Sequence, residues 1–208
     1  MKLESTDLAA VTAVLGLWLG FGMVPAAHAD ARADRDAVIE LMQCYARGTD
    51  AVGDTSLPER RAAGAAIYKE CFVPDAPFRV WFPQQPFDRQ AFPNPAAHPD
   101  TAPKPVIGPE AWSEFVLGVF GAKHYDFTQH LVGNFDVKLE GSSARLTAYL
   151  NATHVRLGEG IGAPSRCVEV ANGTYSIVAK KLRGRWWITE LNLTVFAFNP
   201  VAQSGAGC

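Results

Sequence analysis

Apolar residues return every three or four positions across residues 34–48, through Val38, Ile39, Met42, Tyr45 and Ala46, which predicts a first amphipathic helix with Asp34 as its cap. A second helix is expected from Ser56-Leu57-Pro58-Glu59, a capping box with proline in its first turn, to about Cys71, where Val73-Pro74-Asp75 stops it. The pattern then shortens, and the aromatic and β-branched residues 78–82 read as a strand. No hydrophobic period survives over residues 83–109, where proline recurs among Asn, Asp, His and Gln, so a long irregular loop is expected there. Helical spacing resumes over 110–122 through Trp112, Phe115, Val116, Val119 and Phe120. Beyond it the period is two: residues 128–139 and 144–157 flank Glu140-Gly141-Ser142-Ser143, and residues 167–181 and 185–198 flank Leu182-Arg183-Gly184. Two long hairpins follow from that alternation. The order predicts an α+β domain in which three helices cover one face of a curved antiparallel sheet.

The N-terminus belongs outside this domain. Lys2 precedes an apolar run over residues 8–24, and Ala27-His28-Ala29 closes it, the pattern of a secretory signal cleaved before Asp30. An uncleaved anchor is the alternative, because Glu4 and Asp7 make the segment before the run less positive than usual. The expected division is a signal peptide over 1–29, one domain over 30–200 and a disordered tail over 201–208. The mature protein is then periplasmic or secreted and free of the membrane. A formal net charge of −2 with no basic stripe argues against a nucleic acid partner and leaves a small molecule or another protein. Cys44, Cys71, Cys167 and Cys208 permit one or two disulfides after export, and buried free thiols fit the sequence equally well. There is no C-x-x-C pair and no cysteine–histidine spacing of a zinc site, so neither a metal nor another cofactor is expected.

Three local strings narrow the picture. Tyr45-Ala46-Arg47-Gly48-Thr49-Asp50, Thr128-Gln129-His130-Leu131-Val132-Gly133 and Gly184-Arg185-Trp186-Trp187, in this order of elements, resemble the nuclear transport factor 2-like superfamily, and within it the SnoaL-like domains and scytalone dehydratase. The resemblance implies a cone-shaped, cystatin-like roll with an internal cavity, and a fold that hosts many unrelated activities. In scytalone dehydratase-like enzymes an aspartate orients a histidine, and a second histidine completes the pocket; the matching positions here are Asp50, His130 and His154. Three positions depart from that pattern: Thr49, Tyr175 and Trp81 stand where the enzyme has a tyrosine, an asparagine and a tyrosine.

A carboxylate beside an imidazole fixes the ring's tautomer and stabilises its protonated form, so the other nitrogen can move a proton near neutral pH. On this reading Asp50 orients His130, His154 is a partner acid, and Tyr175 donates to a developing oxyanion. Trp81, Phe115 and Asn134 are expected in the substrate pocket; strand alternation sets Val132, Asn134 and Asp136 on the face of His130 and sets Leu131, Gly133, Phe135 and Val137 toward the helices. The chemistry expected is a cofactor-free dehydration or isomerisation of a small, partly apolar hydroxy or carbonyl compound. A non-catalytic carrier of an apolar ligand, or a homodimer formed through the open sheet face, are the competing uses of the same fold.

Overall fold

The computed structural model describes residues 26–55, 57–82, 102–122, 125–158 and 167–203, so residues 1–25 of the expected signal segment and most of the irregular loop lie outside the described residues. The first helix, α1 (Ala26–Gly53), buries Val38, Met42, Tyr45, Thr49 and Val52 along one stripe, as the three-to-four spacing requires. It runs past the expected stop at Gly48. That glycine is a packing site, not a cap: a Cβ on it would sit 2.7 Å from Cδ1 of Tyr68 on the second helix, α2 (Pro58–Cys71). Gly64 of α2 returns the contact, since its Cβ would lie 2.7 Å from the backbone nitrogen of Val52. The two helices therefore pack backbone to backbone, and the Cys44–Cys71 disulfide, with 6.1 Å between the Cα atoms, fastens them. Closing a loop of this length is worth about 3.5 kcal/mol in the chain-entropy picture.

The cap expected for the first helix is replaced. Asp34 lies inside α1 and accepts from Trp186 Nε1 at 2.8 Å and from Lys181 Nζ at 2.7 Å, tying the helix to the end of the last hairpin. The second helix begins after Leu57, which makes no side-chain cap bond; Ser56, the first residue of the expected capping box, lies outside the described residues. Trp112 and its apolar neighbours form α3 (Pro109–Ala122).

Six strands make the sheet: β1 (Pro77–Trp81), β2 (Val106–Ile107), β3 (Phe127–Glu140), β4 (Ser143–Arg156), β5 (Cys167–Leu182) and β6 (Arg185–Gln203), in the order β2-β1-β6-β5-β4-β3. Both long hairpins form as the alternation predicts. The second closes on Arg183 and Gly184, both at positive φ (51° and 82°), which suits the right-handed twist of the flanking strands. All pairs are antiparallel except β1 with β6, which run parallel, and β2 is a short strand inside the segment expected to be irregular. β6 continues to Gln203, beyond the expected domain end at 200.

The helices and the hydrophobic core share the concave face of the sheet. Thr128, His130 and Val132 of β3 point into that face, while Leu131 is 58 % exposed on the other. Between Gly133 and Asp136 the register slips at a β-bulge, with Asn134 at φ 53°. The extra residue reverses the alternation, so beyond it Phe135, Val137 and Leu139 face the core and Asp136 is exposed. Arg35 of α1 donates to the carbonyl oxygens of Phe135 and Val137 and holds this bend against the helix. The expected split of β3 into a cavity face and an opposite helix face is thus corrected: cavity and helices occupy the same side.

Candidate active site

Because α1 continues to Gly53, Asp50 falls in its last turn, over the start of β3. Gly53 permits that approach, since a Cβ there would collide with Oγ1 of Thr128. The Asp50 carboxylate then accepts three hydrogen bonds from one strand: Oδ1 from His130 Nδ1 at 2.7 Å and from Thr128 Oγ1 at 3.3 Å, and Oδ2 from the His130 backbone N–H at 3.1 Å. With Nδ1 committed as donor, Nε2 is the ring's acceptor nitrogen. Thr128 opens the string that holds His130, but no site role is expected for it there. Its place two positions before His130 on one strand face was the available signal.

His130 lines a cavity of about 80 Å³ walled by α1, α3 and the sheet. Its ring lies 5.6 Å from that of His154, edge to face, and Phe120 of α3 covers both histidines. Asp50 is not part of the cavity wall; it stands behind the His130 ring and reaches the cavity through it. His154 is 3 % exposed, and burial, followed by the proximity of His130, lowers its pKa to about 3 against a weaker opposing effect of the Glu169 backbone. It is a neutral imidazole at ordinary pH. The role expected for it as a cationic acid therefore becomes that of a neutral hydrogen-bonding group beside His130. Tyr125 is buried against the His154 ring and donates its phenol proton to Glu169.

Tyr175 and Phe115 both lie in the cavity wall, as expected. Tyr45, Thr49 and Trp112 line it as well; the sequence placed Tyr45 and Trp112 on apolar helix stripes, and that pattern does not separate core from cavity. Burial raises the phenols of Tyr45, to about 12, and of Tyr68 and Tyr175 well above the usual value, so all three keep their protons. Two expected pocket residues are not in the wall. Asn134 is exposed on the bulge of β3, where the left-handed backbone turns it away. Trp81 is buried outside the cavity, because alternation on β1 presents Val80 and the adjoining Phe82 to it instead. Among the described residues, no group of three or more His, Cys, Asp or Glu side chains is placed to hold a metal ion.

Comparisons with known proteins bear on this geometry. A protein of Kribbella flavida superposes with a TM-score of 0.56 at 17 % identity, over 82 % of this chain and 95 % of that one. A candidate scytalone dehydratase from Novosphingobium aromaticivorans gives 0.52 at 16 % identity, over 86 % and 95 %. Hexachlorocyclohexane dehydrochlorinase LinA-type3 from Novosphingobium barchaimii gives 0.54 at 16 % identity, over 84 % and 94 %. At these identities the likeness is one of fold. No curated protein sequence matches the chain. The SnoaL-like domain matches residues 30–192, and with most of its length accounted for in this way the chain belongs to the SnoaL-like domain family.

Proposed function

We propose that the protein is a lyase or isomerase of the dehydratase type that needs no cofactor and moves protons with His130. The observation that carries this reading is the 2.7 Å bond from His130 Nδ1 to Asp50, which leaves the other ring nitrogen to an apolar cavity. In the resting state neutral His130 accepts a substrate proton on Nε2, and Asp50 stabilises the resulting imidazolium. His154 stays neutral beside it and does not compete for that proton. The same imidazolium returns the proton to a leaving hydroxyl, which completes a dehydration, or to another carbon, which completes a double-bond shift. Two structural neighbours are named for eliminations, a dehydratase and a dehydrochlorinase, and their names agree with this reaction class.

The test is a panel of small neutral hydroxy and carbonyl compounds, followed by absorbance for loss of water or migration of a double bond. Turnover of at least one member is expected. Tight binding across the panel with no turnover would replace this reading with that of a binding protein.

The close fit of Gly53 against Thr128 gives a second check. Gly53→Ala forces the last turn of α1 away from β3, and an ångström-scale displacement of Asp50 should lower turnover by up to about 100-fold. Unchanged kcat in that variant would mean that the position of Asp50 does not matter.

Export remains our reading of the N-terminus, and the disulfide between α1 and α2 supports an oxidising compartment. Self-association through the outer sheet face is proposed on the exposure of Leu131, Tyr149 and Phe196 there, and sedimentation should show a dimer that Leu131→Lys with Tyr149→Lys dissociates. A monomer at all concentrations would end that proposal.

A further inference from the structure

The tips of the two long hairpins, residues 138–145 and 180–185, carry six cations, Lys138, Arg145, Lys180, Lys181, Arg183 and Arg185, and a single carboxylate, Glu140. The two groups are far apart in the chain, and the sheet brings them together. Lys138 pairs with Arg145 across the first hairpin, Ser143 with Lys180 between β4 and β5, and Lys180 with Trp187 across the second hairpin. The Lys181 backbone N–H donates to the Ser142 carbonyl at 2.8 Å and joins the two turns. Arg145 and Lys180 adjoin the buried Ala144 and Ala179, so with Lys138 they project from the outer face, opposite the helices. All six cations are exposed. Lys181 is paired with Asp34; among the described residues, no carboxylate lies within ion-pair distance of the other five.

We propose that these hairpin tips dock the protein on an anionic phospholipid bilayer. Unpaired cations gathered on one end of a protein whose net charge is negative call for a negatively charged partner surface. The apolar groups among them select a lipid one. Arg183 and Gly184 make the tight turn at positive φ, and Leu182, just before it, is 44 % exposed at the extremity of the molecule. Trp187 lies half-buried beside Lys180, with the Arg185 guanidinium 4.2 Å from its ring centre. A soluble polyanion would engage the cations and leave Leu182 in water. The headgroup boundary of a bilayer takes basic side chains, an indole and a protruding apolar side chain together.

The direction of α1 puts a membrane at the same end. Asp34, in its first half, bonds Lys181 and Trp186 at the second tip, and Asp50, in its last turn, bonds His130. Residues 26–33 therefore lead away from His130 toward the tips, and the apolar run of residues 8–24 joins the chain just ahead of them. Held by that run, before cleavage or as an anchor, the domain meets the bilayer tips first; after cleavage the tips remain as the binding surface. The sequence predicts a mature protein free of the membrane. The patch that reverses this expectation exists only once the two hairpins lie side by side.

The experiment is flotation of the protein, as its host produces it, with vesicles of phosphatidylcholine and of a phosphatidylcholine–phosphatidylglycerol mixture. Binding to the mixture should be the stronger and should weaken as salt is added. Each cation near such a surface contributes about fivefold, so Lys180→Gln with Arg183→Asn should reduce the preference for the anionic vesicles by on the order of thirtyfold. Asparagine accepts the positive φ at residue 183, which keeps the turn. Lys138→Gln with Arg145→Gln, away from that turn, should act to the same extent, and Leu182→Ser should weaken binding without a change of charge. Hydrogen–deuterium exchange reads the tips themselves, whether or not residues 8–24 remain on the chain: turn amides of residues 140–143 and 182–185 should be protected on the anionic vesicles and not on the neutral ones. Equal exchange at both turns on the two vesicle types, or a preference for anionic lipid untouched by both double substitutions, overturns the docking surface. Binding to heparin or duplex DNA without binding to the anionic vesicles also overturns it and assigns the patch to a soluble polyanion.

Discussion

Replacing His130 with alanine should lower kcat by about 10²–10⁴-fold, the range associated with loss of a positioned general base. Asp50→Asn should fall in the same range for a different reason. An asparagine amide can present its N–H₂ to Nδ1, which would place the ring proton on Nε2 and block the abstraction; presented the other way, it holds the ring but leaves the imidazolium without a counter-charge. KM should change little in Asp50→Asn, since Asp50 stands behind His130 and does not line the cavity. His130→Gln preserves most of the side-chain volume and guards against a collapse of the cavity as the cause. Circular dichroism establishes that each variant is folded, and full turnover in either His130 variant would refute the assignment.

Acid should destabilise the fold through His154. Its pKa is about 3 in the folded protein against an ordinary value of 6.5, so between these values the unfolded chain binds the proton and the folded chain does not. Stability from this group is therefore fully present above about pH 6.5 and is lost as the pH falls toward 3. Each pH unit well inside that window is worth about 1.4 kcal/mol, so moving from pH 6.5 to pH 4.5 should remove roughly 2 kcal/mol. Carboxylates contribute their own acid dependence, so the informative quantity is a difference. Urea unfolding of the wild type and of His154→Phe at both pH values should give a shallower loss for the variant, and parallel losses would show that His154 is not buried as a neutral ring.

This desolvation also bears on catalysis. Two imidazoles 5.6 Å apart repel when both are charged, and burial assigns the neutral state to His154. His130 is then the one ring of the two that carries a proton in the proposed reaction.

Much of the architecture is written in short-range pattern. The three-to-four spacing around Met42 and Tyr45, the alternation of β4 and β5, and the turn residues Gly141 and Gly184 each depend on neighbours within a few positions, and the elements they predict are the ones that form. The strings around Asp50 and His130 were likewise legible as residue types. Their meeting was not: they are 80 residues apart, and the contact exists because Gly48 and Gly64 let α2 lie against α1 while Gly53 lets the end of α1 reach Thr128. The bulge at Asn134 shows the same division. Period two assigned Asn134 and Asp136 to the face of His130, but one inserted residue turns every later side chain over, and whether a strand bends is set by what it must wrap. Burial belongs wholly to the tertiary structure. Trp112 and Phe120 carry the same apolar pattern whether they fill a core or line a hollow, and His154 becomes a neutral ring only when Phe120, Tyr125 and Phe198 close around it and exclude the water that would charge it.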